Sequence, residues 1–222
     1  MKKLGLITVG QAPRDDVIVD LLPIFGPEIE LIQAGALDGL SLQEIASFAP
    51  QEGDYVLVSR LKDGSSAVFA ERYILPRLQE CIFNLEEAGV ELILFLCTGS
   101  FPTFESHVPL IFPCDVMNAL VPVLTNRSRI AVITPKQEQL KQCADKWKNY
   151  VSFVQVTYGS PYGAFEEIEH AAKEICSADV DLVVLDCIGY TVAMKETVRE
   201  ITGLPVVLSR TIAARTVMEL LT

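Results

Sequence analysis

The sequence predicts an α/β protein of two similar lobes, each a parallel sheet flanked by helices. Three observations lead there. The stretch from Gly89 to Phe101 is echoed from Asp179 to Tyr190: Cys187 stands 90 residues after Cys97, and Val180 and Gly189 stand the same 90 after Val90 and Gly99. Each copy is an apolar run of strand length that ends in a cysteine and a glycine-containing turn, which reads as a strand buried on both faces. Two further landmarks repeat in the same order. Arg129 to Thr134 matches Lys3 to Thr8 at an offset of 126, and Pro205-Val-Val-Leu matches Pro109-Leu-Ile-Phe at an offset of 96. Finally, strand-like and helix-like patterns alternate along the chain, which implies parallel sheets and right-handed crossovers.

In order, Leu4 to Val9 reads as the first strand. The loop Gly10-Gln-Ala-Pro-Arg-Asp-Asp follows, then a helix from Val17 to Phe25 with Asp15 and Asp16 where its dipole favours acid. Glu30 to Ala34 is a short strand. Ser41 and Glu44 have capping-box spacing and open a short helix to Phe48. Tyr55 to Arg60 and Ser66 to Phe69 form a hairpin around the Asp63-Gly64 turn. The segment from Ala70 to Glu87 carries Ile74, Leu78, Ile82 and Leu85 on one helical stripe and leads into the strand ending at Cys97. A brief strand from Pro109 to Phe112 and a helix from Asp115 to Leu124 precede the polar break at Asn126. The pattern then restarts: strand Arg129 to Thr134, helix Gln137 to Asn149, strand Val151 to Val156, a Gly- and Pro-containing loop from Tyr158 to Gly163, and helix Phe165 to Cys176. After the strand ending at Cys187, Pro205 to Ser209 and a helix from Thr211 to Leu221 close the chain. The first lobe is therefore expected over 1–126, completed by the C-terminal segment of about 210–222, and the second over 127–209.

Half of the 222 residues are hydrophobic, enough for a substantial core. No apolar run reaches the ~18 residues of a membrane span. The opening Met-Lys-Lys-Leu-Gly-Leu-Ile-Thr-Val-Gly reads as a first buried strand rather than a signal peptide. A net charge of −11 without any lysine and arginine cluster argues against nucleic acid and anionic membranes. Six dispersed cysteines with no C-x-x-C point to reduced thiols in the cytosol, not to disulfides or structural zinc. A cytoplasmic protein with no metal and no cofactor is expected, and a homodimer is left open.

The chemistry centres on Cys97 and Cys187. Each stands just past a buried strand, at the sheet edge where open α/β folds bind ligands, so the two could face each other across a cleft. A thiol has a pKa near ~8.5 and can act as acid or base near neutrality. Two thiols on opposite faces of a carbon next to a carboxylate could invert it, one removing a proton and the other supplying one. Thr98 and Ser100 offer hydroxyls, Gly99 lets the backbone approach a ligand, Gly189 repeats the turn, and Tyr190 carries a hydroxyl. The loop after the first strand holds Gln11 and Arg14, and Arg14 is suited to clamp a carboxylate. Arg60 and Arg210 lie at strand ends and suit the same small anionic ligand. Asp186 is expected to point away from Cys187 by strand alternation. Cys81, Cys143 and Cys176 read as packing residues, Cys114 as a lesser thiol candidate, and Trp147 as a helix anchor. No G-x-G-x-x-G or Walker motif is present, so nucleotide binding has little support.

Four motifs resemble the AroM family: Thr-Val-Gly-Gln-Ala-Pro-Arg-Asp-Asp at 8–16, Ser-Arg-Leu-Lys-Asp-Gly at 59–64, Leu-Asp-Cys-Ile-Gly-Tyr at 185–190 and Leu-Ser-Arg at 208–210. That resemblance covers nearly the whole chain and implies a bacterial protein named for a genetic neighbourhood rather than a reaction. More remotely, the layout is similar to the aspartate/glutamate racemase superfamily, with its hydantoin racemases, maleate isomerases and arylmalonate decarboxylases. This second resemblance implies two pseudo-symmetric lobes, one site between them, a cysteine from each, and no cofactor. Cys97 and Cys187 match those two positions. The residues after them depart from the amino-acid racemases, which follow the first cysteine with Asn-Thr and the second with Thr-His, where this chain has Thr98-Gly99 and Ile188-Gly189. Three readings stay open: a racemase or isomerase using both cysteines, a decarboxylase or lyase using one, and a non-catalytic small-anion-binding protein.

Overall fold

A computed structural model describes residues 1–221. The chain forms two compact units: residues 1–113 with the segment from Ala213 onward, and residues 114–212. The polar break at Asn126 falls inside the second unit.

The first unit runs β1 (Lys2–Thr8), α1 (Asp15–Phe25), β2 (Ile29–Gly35), α2 (Leu42–Ala46), β3 (Val56–Arg60), β4 (Ser66–Ala70), α3 (Leu75–Glu87), β5 (Leu92–Phe95) and β6 (Leu110–Ile111). Its four-stranded sheet has the order β2-β1-β5-β6, and every pairing is parallel. All four residues of β5 are buried, as a continuous apolar run demands of a strand covered on both faces. The stripe Ile74, Leu78, Ile82 and Leu85 packs into the same core as Ile7, Ile93 and Phe95. The capping box forms at α2, where the Glu44 backbone N–H donates to the Ser41 hydroxyl and the Ser41 N–H donates to the Glu44 carboxylate.

The second unit begins within α4 (Pro113–Leu120) and continues through β7 (Arg129–Thr134), α5 (Leu140–Trp147), β8 (Phe153–Tyr158), α6 (Phe165–Ile175), β9 (Leu182–Leu185), α7 (Val192–Thr202), β10 (Val206–Leu208) and into α8 (Ser209–Leu221). Its parallel sheet has the order β10-β9-β7-β8, the same arrangement as the first sheet with β7 in the place of β1. The register repeats too. Leu4 lies opposite Leu92 and Ile130 opposite Leu182; Ile93 lies opposite Leu110 and Val183 opposite Val206. These pairs keep the three sequence offsets, so the lobes are pseudo-symmetric at the level of single residue pairings.

The hairpin β3–β4 is the first lobe's extra material. It is antiparallel, and Gly64 at its tip has a positive φ of 86°, a conformation open to glycine at no steric cost. Two helices differ from expectation at a proline. The helix expected from Ala70 starts at Leu75, with Pro76 in its first turn, after a separate 3-10 turn at Glu71–Tyr73. The helix expected to Leu124 stops at Leu120, and Pro122 lies in a following 3-10 turn, since proline supplies no N–H to continue the α ladder. No helix among the described residues is long and apolar enough to cross a membrane.

Candidate functional site

In the first lobe, β5 carries the chain to the carboxyl edge of the sheet, where the Leu96 N–H donates to the Ile7 carbonyl at 2.6 Å. Cys97 follows, only 8% exposed. The chain then turns, and the Gly99 N–H points back at the Cys97 sulfur at 3.4 Å. Gly99 is held close by its neighbours: a methyl placed on it would stand 2.8 Å from Leu57 Cδ2 and 3.3 Å from the Phe101 ring. The Ser100 N–H donates to the Tyr55 hydroxyl at 3.2 Å. Behind this turn Phe95, Phe101, Phe104 and Phe112 form a ring cluster, with centroids 4.4 to 6.3 Å apart.

The loop after β1 lies at the same edge. The Gly10 N–H donates to the Thr8 hydroxyl at 3.2 Å. Arg14 is 2% exposed and turned to internal partners. Its guanidinium meets the Asp16 carboxylate in a two-point ion pair, Nε to Oδ1 at 2.8 Å and Nη2 to Oδ2 at 2.9 Å, while Nη1 reaches the Ser59 hydroxyl at 3.4 Å. Gln11 fastens the hairpin, accepting the Lys62 N–H at 2.9 Å and donating to the Leu37 carbonyl at 3.4 Å. Arg60 ends β3 opposite Ser66 and is half-buried. The hairpin thus reaches both loops, through Ser59 at Arg14 and Leu57 at Gly99.

The second lobe repeats the motif. The Asp186 N–H donates to the Ile133 carbonyl, and Cys187, 6% exposed, follows at the sheet's carboxyl edge. The Gly189 N–H points at the Cys187 sulfur at 3.4 Å, the same contact as in the first lobe. Here, however, the turn is clamped by the start of α8. The Ser209 hydroxyl donates to the Cys187 carbonyl at 2.8 Å, and the fully buried Arg210 donates to the carbonyls of Ile188 at 2.9 Å and Gly189 at 2.8 Å. Buried carbonyls are costly without donors, so Arg210 sets the shape of the turn. Tyr190 is wholly buried and its hydroxyl donates to the Gly159 carbonyl at 2.8 Å. Burial, with the Cys187 and Asp186 side chains nearby, pushes that phenol well above its ordinary range. Over Gly189 lies a residue that sequence reasoning did not single out, Tyr162: a methyl on Gly189 would stand 2.5 Å from its hydroxyl and 2.8 Å from Pro161 Cγ.

Asp186 faces the other way. Its carboxylate accepts from Trp147 Nε1 at 2.8 Å and pairs with the Lys146 ammonium, while Cys143 Sγ lies 3.9 Å from it. Cys114 lies 3.9 Å from Lys146 Nζ and 3.4 Å from the Asn118 amide nitrogen. Lys146 gave no signal in the sequence, because one lysine on an amphipathic helix reads as solvated. Among the described residues no three His, Cys, Asp or Glu side chains gather as a metal cluster, and no disulfide joins any of the six cysteines.

Two lobes of this topology and register define the racemase-like α/β fold. The maleate isomerase Iso from Pseudomonas putida S16 is similar in structure, with a TM-score of 0.68 at 12% identity over 99% of this chain and 92% of that one. Allantoin racemase from Klebsiella pneumoniae gives 0.66 at 13% identity, covering 100% and 88%. Glutamate racemase from Francisella tularensis subsp. tularensis SCHU S4, in complex with D-glutamate, gives 0.62 at 15% identity, covering 99% and 81%. At such identities the likeness is one of fold. No curated protein matches by sequence. The family model described as AroM protein matches residues 4–221, and the chain belongs to the AroM family.

Proposed function

We propose that this protein is a cofactor-independent, racemase- or isomerase-like enzyme that moves a proton at the carbon next to a carboxylate, with Cys97 and Cys187 as its acid/base pair. The observation that carries this reading is the repeated sulfur motif. Each cysteine follows a buried strand of matching register, and each sulfur receives an N–H at 3.4 Å from the glycine two residues on. An N–H aimed at sulfur is a contact that strengthens when the sulfur is a thiolate. One thiolate takes the proton from the α-carbon and becomes a thiol. The other thiol gives its proton to that carbon from the opposite face and becomes a thiolate. The carbon is inverted, and the protein is left with one thiol and one thiolate, as at the start. A solved relative in fold holds D-glutamate, a small carboxylate, and others are named for racemase and isomerase activity.

The test is proton exchange in deuterium oxide, followed by NMR over a panel of amino acids, hydroxy acids and dicarboxylates. Exchange at the α-carbon of one class is expected. Cys97→Ser and Cys187→Ser should each lower it by at least ~100-fold, the usual scale of a general acid or base. Full activity in both variants would sink the two-thiol mechanism. Loss in only one would favour a decarboxylase or lyase with a single proton donor. Saturable binding of a panel member without exchange would favour an anion-binding protein.

A further inference from the structure

The two repeats agree at sulfur and differ in what covers the glycine beside it. Gly99 is covered by Leu57 and Phe101, Gly189 by Pro161 and the hydroxyl end of Tyr162. We propose that Tyr162 is a ligand-contacting residue of the Cys187 half-site, its phenol donating a hydrogen bond to the carboxylate of a small organic acid docked on that thiol. This rests on the reading that Cys187 meets a carboxylate ligand, and it adds the group that holds the acid there.

The placement of Tyr162 is built, not incidental. The loop after β8 is fastened at almost every residue. The Gly159 N–H donates to the Thr134 carbonyl at 3.0 Å, and the Gly159 carbonyl accepts the Tyr190 hydroxyl at 2.8 Å. The Ser160 N–H donates to the Glu167 carboxylate at 3.0 Å, and the Tyr162 N–H to the Ser160 hydroxyl at 3.2 Å. Gly159 is packed so closely that a methyl there would lie 2.9 Å from the Glu167 carbonyl oxygen. A side chain carried on so fixed a loop needs little further ordering to bind. The chain also contains a contrasting tyrosine. Tyr190 is sealed in the core, whereas Tyr162 keeps part of its surface open to solvent while its hydroxyl stands over the turn whose N–H faces the Cys187 sulfur. A phenol stays protonated at neutral pH and donates to a carboxylate. Only glycine at 189 leaves room for it, since any Cβ there would overlap the hydroxyl.

The test needs no substrate and no turnover, so it stands apart from the exchange experiment. The full-length protein is alkylated separately with iodoacetate and with its neutral counterpart iodoacetamide. In each case an S–C bond forms at the thiolate, the C–I bond breaks, iodide leaves with the electron pair and the thiol proton passes to solvent. Rates at Cys187 are read by peptide mass mapping, with the exposed Cys176 as reference in the same digest. Tyr162→Phe keeps the ring and removes only the hydroxyl. The iodoacetate-to-iodoacetamide rate ratio at Cys187, relative to Cys176, should fall about tenfold, the scale of one hydrogen bond to a charged group. Gly189→Ala, which displaces the phenol, should lower the ratio in the same way. A ratio within twofold of the parent in Tyr162→Phe, or an equal change with both reagents, would overturn the assignment.

Discussion

Asp186 and Cys187 are neighbours in sequence and part company in the fold. Cys187 stands at the sheet edge, while Asp186 turns to α5 and meets Lys146 and Trp147. The strand period of two made that divergence legible; the partner was not, because Lys146 is 40 positions away. Burial works against the Lys146 charge, but the Asp186 carboxylate beside it holds the ammonium above its usual range. Burial and the same carboxylate push the Cys143 thiol up, so Cys143 stays a neutral packing group. A lysine with a raised folded pKa contributes in full below its unfolded value of ~10.4, and that contribution is lost only as alkali titrates through the raised value. Asp186→Asn removes one charge and leaves the other buried. It should cost about 3–5 kcal/mol, read as a shift in the urea midpoint of the Trp147 fluorescence. Replacing both partners, as in Lys146→Met with Asp186→Leu, should recover most of that loss. A single substitution costing under about 1 kcal/mol would contradict the account of a tight buried pair.

At the scale of elements, helix α3 shows what periodicity conveys and what it misses. Its apolar stripe was readable, and Leu78, Ile82 and Leu85 are all buried. The role of its polar face was not, because it depends on a loop 20 residues on. There Glu86 accepts from the Ser106 hydroxyl and the His107 N–H, both at 2.6 Å, and from the Val108 N–H at 3.4 Å. The Ser106 and His107 side chains lead in holding this carboxyl down at about 2, against the desolvation that opposes them. With the folded value depressed, the docking of the loop is complete above the unfolded pKa of ~4.3 and is lost as pH falls through about 2. An NMR titration should place the Glu86 carboxyl midpoint near 2, with the amide signals of His107 and Val108 moving in step. An ordinary midpoint near ~4.3 would refute the docking. The same scale explains the two arginines. Arg14 and Arg210 were readable as cations near strand ends, but sequence does not show which acceptors the fold supplies, and here those include Asp16 and the carbonyls of Ile188 and Gly189.

For the whole molecule, the repeat was the most legible feature, because three landmarks recur in the same order and the strand registers keep their offsets of 126, 90 and 96. Pairing Ile7 with Phe95 and Ile133 with Leu185 keeps both matched strands in phase, and a slip of one residue would turn every side chain to the wrong face. The hairpin breaks the symmetry and could not be placed from an echo, since it has none, and Tyr162 has no tyrosine counterpart in the loop after β2. Charge is the other global property. At −11 the protein repels anions at long range. Iodoacetate should therefore alkylate the exposed Cys176 faster as salt is raised from about 10 to 150 mM, as the Debye length shrinks from ~30 to ~8 Å, while iodoacetamide stays level. A flat iodoacetate profile would show that local cations dominate the field at that thiol.

Helix α8 opens with the residues that fasten the Cys187 turn and ends in the first lobe, where the Leu221 carbonyl accepts the Lys2 ammonium. The two lobes therefore differ in how the chain assembles them. During synthesis domains fold as their residues emerge. The lobe made first must wait for the segment from Ala213, whereas the lobe made second is one unbroken stretch and is complete sooner. The first lobe is thus closed by residues that follow every residue of the second.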